Sequence, residues 1–277
     1  MEASIIVDSG CDMPEQMKKE MSVAVVPLTL MLGQTEFVDD ESLDLAEFMK
    51  TMKECSEKVG SASPSPYLYQ KAIQSTGGEY VITLSGKLSG SYSNAVLGSS
   101  QAEEDSGQSA HVFDSKSASA GETLIAIKLH ELIREGLAKT RIIEAVHDFI
   151  DNMKTYFVLE NYENLQKNGR LSKVAGSLIQ ILNIKLIMGS DGNGNIVLYE
   201  KVRGMRQMLE RLMSLVENSG KKTEGENLVI SHCNNLELAE QLCTEIKKRF
   251  KFKNIHIVPT GGLSSLYAAE KGIVIAF

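Results

Sequence analysis

Short β-rich runs alternate with longer helical patterns through the first half of the chain, and this alternation restricts the fold more than any other feature. Ile5–Val7, Tyr80–Leu84 and His111–Phe113 are apolar runs of strand length. Helical spacing follows the last two of them, over Ser91–Glu104 and Ser117–Glu135. Parallel strands need long crossover connections, usually helices. The pattern therefore predicts a parallel sheet with helices on both faces, a three-layer α/β arrangement.

Further elements of the first half are predicted from local signals. Val23–Leu30 is predicted to be one strand, and Ser42–Lys58 and Arg141–Met153 are predicted to be amphipathic helices. Asp12, followed by Pro14 and Glu15, has the residue types of a capped helix start.

The pattern changes after about residue 155. Lys185–Met188 and Ile196–Tyr199 flank a glycine-rich turn, which indicates a β-hairpin and so antiparallel strands, and Ser172–Leu182 is predicted to be a helix. We therefore predict two closely packed domains: residues 1–155 form a parallel α/β domain, and residues 156–277 form an α+β domain with a mixed, antiparallel sheet.

Charge and cysteine spacing exclude several classes of function. The chain has 29 Lys+Arg against 36 Asp+Glu, a net charge of -7, which disfavours nucleic acid and anionic membranes as partners. No apolar stretch approaches the ~20 residues of a membrane-spanning helix, so membrane insertion is not expected. The start of the chain has no basic segment typical of a signal peptide. The four cysteines show no CxxC spacing, so we expect reduced thiols, no metal site and a cytoplasmic protein.

Hydroxyl side chains and glycine follow the predicted strands. They occur at Asp8–Asp12, at Ser85–Ser93 and at Asp114–Ser119, and a further polar loop, Gly60–Pro66, precedes a helix. Ligands of open parallel sheets bind at the carboxyl ends of the strands, where hydroxyls and helix N-termini can donate to an anion. Any single serine of this set is also explained as a helix cap. Together the loops predict an anion-receiving site.

The motifs of the common nucleotide-binding and hydrolytic sites are missing. The sequence has no GxxxxGK[ST], no GxGxxG after a strand and no GxSxG elbow. His232, at the end of a predicted strand, is the histidine best placed for a polar site. The alternative to a binding protein is a stand-alone serine-dependent hydrolase or a small-molecule kinase.

At these loops the chain resembles the DegV family of bacterial fatty-acid-binding proteins. Ile6–Pro14 resembles the family opening, Asp-Ser-Thr-Cys-Asp-Leu-Pro after a strand, and Leu84–Ala95 resembles its serine-rich strand-to-helix loop. Asp114–Gly121, Asn168–Ser172 and Leu182–Lys185 are also close to family segments. The resemblance extends over essentially all 277 residues.

This resemblance implies a lipid-binding carrier in phospholipid metabolism. It implies that a long-chain fatty acid lies in a buried tunnel between the two domains, and that a separate ATP-dependent fatty-acid kinase phosphorylates its carboxyl group. The carrier itself would catalyse no covalent step and would need no cofactor.

The resemblance also implies the roles of particular residues. Ser61 and Ser89 would bind the carboxylate, beside Gly90 and Ser91. Arg170 would lie near the mouth, where it would help the kinase dock or contact phosphate. A histidine expected near the carboxyl end of the chain is missing, and Thr260 is the residue we expect to replace its hydrogen bonding. A supporting set is expected behind these residues: Asp8, Ser9, Ser117 and His232.

Overall fold

The computed structural model describes residues 5–171 and 184–277, which form thirteen strands in three sheets, with ten helices. The strands are β1 (Ile5–Asp8), β2 (Val23–Val26), β3 (Thr29–Leu32), β4 (Thr35–Val38), β5 (Val59–Ala62), β6 (Tyr80–Thr83), β7 (His111–Asp114), β8 (Thr155–Val158), β9 (Ile184–Ser190), β10 (Ile196–Arg203), β11 (Asn227–His232), β12 (Asn254–Pro259) and β13 (Ile273–Ala276). The helices are α1 (Glu15–Glu20), α2 (Leu45–Glu54), α3 (Pro66–Thr76), α4 (Ser91–Ser106), α5 (Ala120–Arg134), α6 (Lys139–Asn152), α7 (Glu163–Lys167), α8 (Gly204–Glu217), α9 (Leu236–Arg249) and α10 (Gly262–Ala268).

The predicted parallel sheet is confirmed. It has four strands in the order β2-β1-β6-β7, and every pairing is parallel. Successive side chains of β1 point to opposite faces: Ile6 packs with α3 and α4, whereas Ile5 and Val7 pack with α5. Helices cover both faces, so the two central strands, β1 and β6, are buried throughout, whereas the edge strands β2 and β7 are mostly half-buried.

Helix α5 lies between this sheet and a second one. Ten of its fifteen residues are buried, more than an amphipathic surface helix would bury. Its apolar cluster joins Ile5 and Tyr80 of the parallel sheet to Val229 and Val274 of the second sheet. The two halves of the chain therefore share one core around α5.

The second sheet is mixed, as predicted. Its order is β10-β9-β8-β13-β11-β12, and only the β11–β12 pairing is parallel among its described strands. The predicted hairpin is confirmed as β9 and β10. Helices α8 and α9 pack on the face opposite α5. The described part of the chain contains no helix long and apolar enough to cross a membrane.

A third, antiparallel sheet of order β4-β3-β5 was not predicted. The single strand predicted over Val23–Leu30 is wrong, since the chain divides at Pro27 into β2 and β3, which belong to different sheets. Proline has no N–H to give to a ladder, which makes it a natural point of separation. Ser61 consequently lies within β5, opposite Leu30, and not in a loop.

Other local predictions need correction. Helix α1 begins without a side-chain cap, and the buried Asp12 instead accepts hydrogen bonds from the Gly261 N–H (2.8 Å) and the Ser119 hydroxyl. The helix predicted over Ser42–Lys58 is limited to α2, which Asp44 caps by accepting the Glu47 N–H (3.0 Å). The helix predicted over Ser172–Leu182 lies outside the described residues.

Candidate functional site

A cavity of about 390 Å³ lies between the start of α5, the six-stranded sheet, the three-stranded sheet and α10. Its size falls within the range of small-molecule sites, about 300–1,000 Å³. Most of its wall is apolar, formed by Leu28, Leu84, Leu88, Ala118, Phe157, Leu159, Leu165, Ile196, Leu263, Ala268 and Val274. Residues from both halves of the chain contribute to this wall.

One end of the cavity carries a cluster of hydroxyl groups. The Ser61 hydroxyl lies 3.0 Å from the Tyr267 hydroxyl, and both residues line the cavity. Ser63 is next to Gly90, because a Cβ atom at Gly90 would lie 3.1 Å from its Oγ. Ser89, the residue before Gly90, also lines the cavity. These are neutral donors of the kind that bind a carboxylate.

The Ser89–Gly90–Ser91 segment lies at the N-terminus of α4. Ser89 Oγ accepts the N–H of Ser91 (3.2 Å) and lies 3.0 Å from Ser91 Oγ. Ser91 is fully buried and does not line the cavity. The structure therefore brings Ser89 and Gly90 to the cavity surface and Ser91 directly behind them.

Arg170 lines the same end of the cavity. Its Nε donates to the carbonyl of Leu88 (3.1 Å), and its Nη1 donates to the carbonyl of Asn168. No carboxylate is within ion-pair distance of it among the described residues. The guanidinium is thus fixed beside the Ser89 loop with its charge available to an anion.

The loops around the cavity are held together by the turn of the β9–β10 hairpin. Ser85 donates to the carbonyl of Gly194 (2.9 Å), and Ser190 donates to the carbonyl of Lys116 (2.9 Å). Gly194 has φ of +88°, and a Cβ atom there would lie 2.2 Å from Ser85 Oγ. Only glycine fits this turn against the parallel sheet.

A second group of hydroxyls lies at the start of α5. Ser117 Oγ is 2.7 Å from Thr155 Oγ1, and both residues line the cavity. Gly121 packs behind this pair, since a Cβ atom there would lie 2.0 Å from Ser117 Oγ. Ser117, which was expected to lie behind the carboxylate-binding residues, thus forms part of the cavity wall itself.

Asp8 and Ser9, which follow β1, are buried and support the loops. Asp8 accepts the N–H groups of Gly10 (2.9 Å) and Leu84 (3.0 Å), and Ser9 Oγ accepts the N–H of Leu28 (3.0 Å). Burial raises the pKa of Asp8 to about 6, although these N–H groups lower it. Neither residue lines the cavity.

Two further sequence-predicted residues, Thr260 and His232, also do not line the cavity. Thr260 is hydrogen-bonded to Ser265 (2.8 Å), and it lines a separate cleft of about 720 Å³ together with Ser9. His232 ends β11, where its Nδ1 accepts the N–H of Asn235 (3.3 Å), and burial lowers its pKa. The Thr260 hydroxyl is thus turned toward the β11–α10 contact, and its replacement of a missing histidine stays a prediction.

Tyr267 is the residue that the sequence reasoning missed. It lies on α10, a seven-residue helix after Gly261, which was not predicted. Leu263 and Tyr267 are four residues apart and both line the cavity. That helical spacing was the available signal, but so short a helix gives little periodicity to detect.

Comparison with known proteins gives a consistent result. A model of the family described as an uncharacterised protein of the DegV family matches residues 2–277. A DegV domain-containing protein of Streptococcus pneumoniae is 35% identical over 276 residues, which are 99% of this chain and 98% of that protein.

Two solved structures are similar over the whole chain. One is a DegV family protein of Ruminococcus gnavus with vaccenic acid, with a TM-score of 0.95 and 38% identity, covering 100% of both chains. The other is the fatty acid kinase (Fak) B3 protein of Streptococcus pneumoniae loaded with linoleic acid, with a TM-score of 0.89 and 34% identity, covering 100% of this chain and 99% of that chain.

Proposed function

This chain belongs to the DegV family, and on that premise we propose that it binds a long-chain fatty acid in the cavity and presents the carboxylate to a separate ATP-dependent kinase. The single observation that carries this proposal is a largely apolar cavity whose wall includes the hydroxyl-bearing residues Ser61, Ser89 and Tyr267. The similar proteins with vaccenic and linoleic acid support it.

The apolar wall supplies the affinity. Each methylene group transferred from water is worth about 0.8 kcal/mol. A chain of roughly 14 methylenes therefore gains on the order of 11 kcal/mol before the cost of ordering. Residues 1–155 and 156–277 both contribute to the wall, so we propose that the acyl chain lies in a tunnel between two domains.

The hydroxyl cluster orients the head group. A hydrogen bond from a hydroxyl to a carboxylate contributes about 1.5–3 kcal/mol. Ser61, Ser89 and Tyr267 offer O–H donors and no cationic group, so they position the carboxylate without holding it in a tight ion pair. Neutral positioning leaves one carboxylate oxygen nucleophilic, which suits a later phosphoryl transfer.

The kinase reaction takes place at that oxygen. A carboxylate oxygen forms a bond to the γ-phosphorus of ATP while the bond to the bridging oxygen breaks, so that an acyl phosphate and ADP result. Arg170 is fixed at the same end, where its guanidinium can contact the phosphoryl group or the docking kinase. The name of the Fak B3 neighbour supports a kinase partner.

The first experiment identifies the ligand. We expect the purified protein to contain a fatty acid that mass spectrometry of an organic extract detects. A protein that is empty and that also fails to bind added oleate or palmitate would contradict the proposal.

A second experiment tests the head-group residues. The double variant Ser61→Ala/Ser89→Ala should reduce acyl-phosphate formation with a cognate kinase far more than it reduces folding stability. Ser93→Ala, an exposed position on α4, is the matched control and should change neither. Unchanged acyl-phosphate formation by the double variant would refute these assignments.

The alternative of a serine hydrolase has less support. No histidine is among the described residues that line the cavity, so a serine there lacks the usual general base. Turnover of an acyl ester or of ATP by the pure protein alone would favour this alternative.

A further inference from the structure

Ser63 is a further hydroxyl-bearing residue of the cavity wall. It follows β5, the strand that carries Ser61, and it lines the cavity together with Ser89 and Gly90. A Cβ atom at Gly90 would lie 3.1 Å from Ser63 Oγ, so the Ser63 hydroxyl lies against the start of α4. What this hydroxyl can do for a ligand depends on whether its hydrogen is already used within the protein.

Asn94, on α4, decides how the Ser63 hydroxyl is used. Asn94 Nδ2 donates to the carbonyl of Pro64 (2.8 Å) and lies 3.2 Å from Ser63 Oγ. A carbonyl oxygen can only accept, so the Pro64 contact assigns the amide nitrogen, and not the amide oxygen, to this side of Asn94. That nitrogen has two hydrogens and accepts none. Ser63 Oγ is therefore the acceptor of the second hydrogen.

The hydrogen of Ser63 is left for another partner. A hydroxyl that accepts from Asn94 still has its own O–H to donate, and the amide nitrogen cannot receive it. Within residues 5–171 and 184–277, no acceptor for this hydrogen lies at hydrogen-bond distance from Ser63 Oγ. An O–H group without an acceptor on a cavity wall gains a full hydrogen bond when a ligand brings an oxygen to it.

Ser63 differs in this respect from the other hydroxyls of the wall. Between Ser61 Oγ and Tyr267 Oη, and between Ser89 Oγ and Ser91 Oγ, either oxygen could be the donor. Those pairs can adapt to a ligand, whereas Ser63 is set as a donor before the ligand arrives. A carboxylate offers acceptor oxygens alone, so it matches such a donor.

We propose that Ser63 donates a further hydrogen bond to the fatty-acid carboxylate, and that Asn94 is the positioning residue that reserves the Ser63 hydrogen for the ligand. The inference rests on the function proposed above. It adds one donor to the head-group site and places the residue that orients this donor on α4, behind the wall.

The affinity of single variants for oleate tests Ser63. Delipidated Ser63→Ala should show a dissociation constant about 10- to 150-fold higher than the unaltered protein, the loss expected for one hydrogen bond to a charged group. Ser65→Ala is the matched control, because Ser65 is an exposed serine of the same loop that does not line the cavity and makes no side-chain cap to α3. The control should keep both its affinity and its stability.

A double-mutant cycle tests the positioning role of Asn94. Asn94→Leu has no donor, so it should also weaken oleate binding, but by less than Ser63→Ala does, because the released hydroxyl can still turn toward the carboxylate. In the Ser63→Ala background the same substitution should weaken binding no further. Equal losses in the two backgrounds would show that Asn94 only supports the loop, and they would refute the positioning role.

A spectroscopic measurement reports the hydrogen bond without any change at Asn94. In ¹³C NMR of bound oleate labelled at the carboxyl carbon, the resonance should move between the unaltered protein and Ser63→Ala, and it should stay in place in Ser65→Ala. An unmoved resonance in Ser63→Ala would overturn the inference, whether or not Asn94→Leu folds.

The outcomes separate the two proposals. If the unaltered protein binds oleate and Ser63→Ala binds it within twofold as tightly, the role of Ser63 is refuted while fatty-acid binding stands. If the unaltered protein binds no fatty acid, the proposed function itself fails, and the role of Ser63 fails with it.

Discussion

Replacing Tyr267 by phenylalanine gives the sharpest test of the head-group site, because it removes one oxygen atom and leaves the ring on α10 in place. The phenol lies 3.0 Å from Ser61 Oγ, at the end of the cavity where the carboxylate is proposed to bind. Losing one hydroxyl donor to a carboxylate costs about 1.5–3 kcal/mol. The dissociation constant for oleate should therefore rise about 10- to 150-fold.

Titration calorimetry with delipidated protein measures this change. The control is Tyr67→Phe, which removes the phenol of an exposed residue that does not line the cavity. That variant should keep both its stability and its affinity. Ser61→Ala, combined with Tyr267→Phe, completes a double-mutant cycle, and the two losses should be less than additive because the hydroxyls contact each other. An affinity of Tyr267→Phe within twofold of the unaltered protein would refute this site.

Two further predictions concern stability. Gly194→Ala should lower the free energy of unfolding, measured by chemical denaturation, more than Gly192→Ala does. Both glycines have positive φ, but only a Cβ atom at position 194 would meet Ser85 Oγ, at 2.2 Å. Equal losses of unfolding free energy in the two variants would contradict the role of this contact. Lowering the pH from 7 toward 4 should stabilise the fold, because burial raises the pKa of Asp12 from 3.8 to about 6, so that the folded state binds this proton before the unfolded state does. A shift of this size in one carboxyl changes the free energy of unfolding by up to about 3 kcal/mol. Asp12→Asn should therefore make the free energy of unfolding vary less between pH 7 and pH 4. An equal variation in Asp12→Asn and in the unaltered protein would contradict the role of Asp12.

The parallel sheet and its helices were predictable because their signal is local. Strand β1 is an apolar run that continues into a polar loop, and the hairpin of β9 and β10 surrounds a glycine-rich turn. The serine-rich loop before α4 could be recognised in the same way, and it brings Ser89 to the cavity. The third sheet was missed because β4 (Thr-Glu-Phe-Val) and β5 (Val-Gly-Ser-Ala) are not apolar runs, and because the separation of β3 from β2 depends on the break at Pro27.

The amino-acid sequence by itself determined the parallel sheet, its helices and the β9–β10 hairpin, and it placed hydroxyl groups at the ends of the strands, because hydrophobic period and turn chemistry are properties of neighbouring residues. Only the tertiary structure decided which hydroxyls meet. Ser61 and Tyr267 are 206 positions apart, and Asp12 and Gly261 are 249 positions apart. Such contacts depend on how α5 and α10 pack between the sheets, and the pattern of neighbouring residues does not specify that packing. The same packing left Thr260 and His232 outside the cavity.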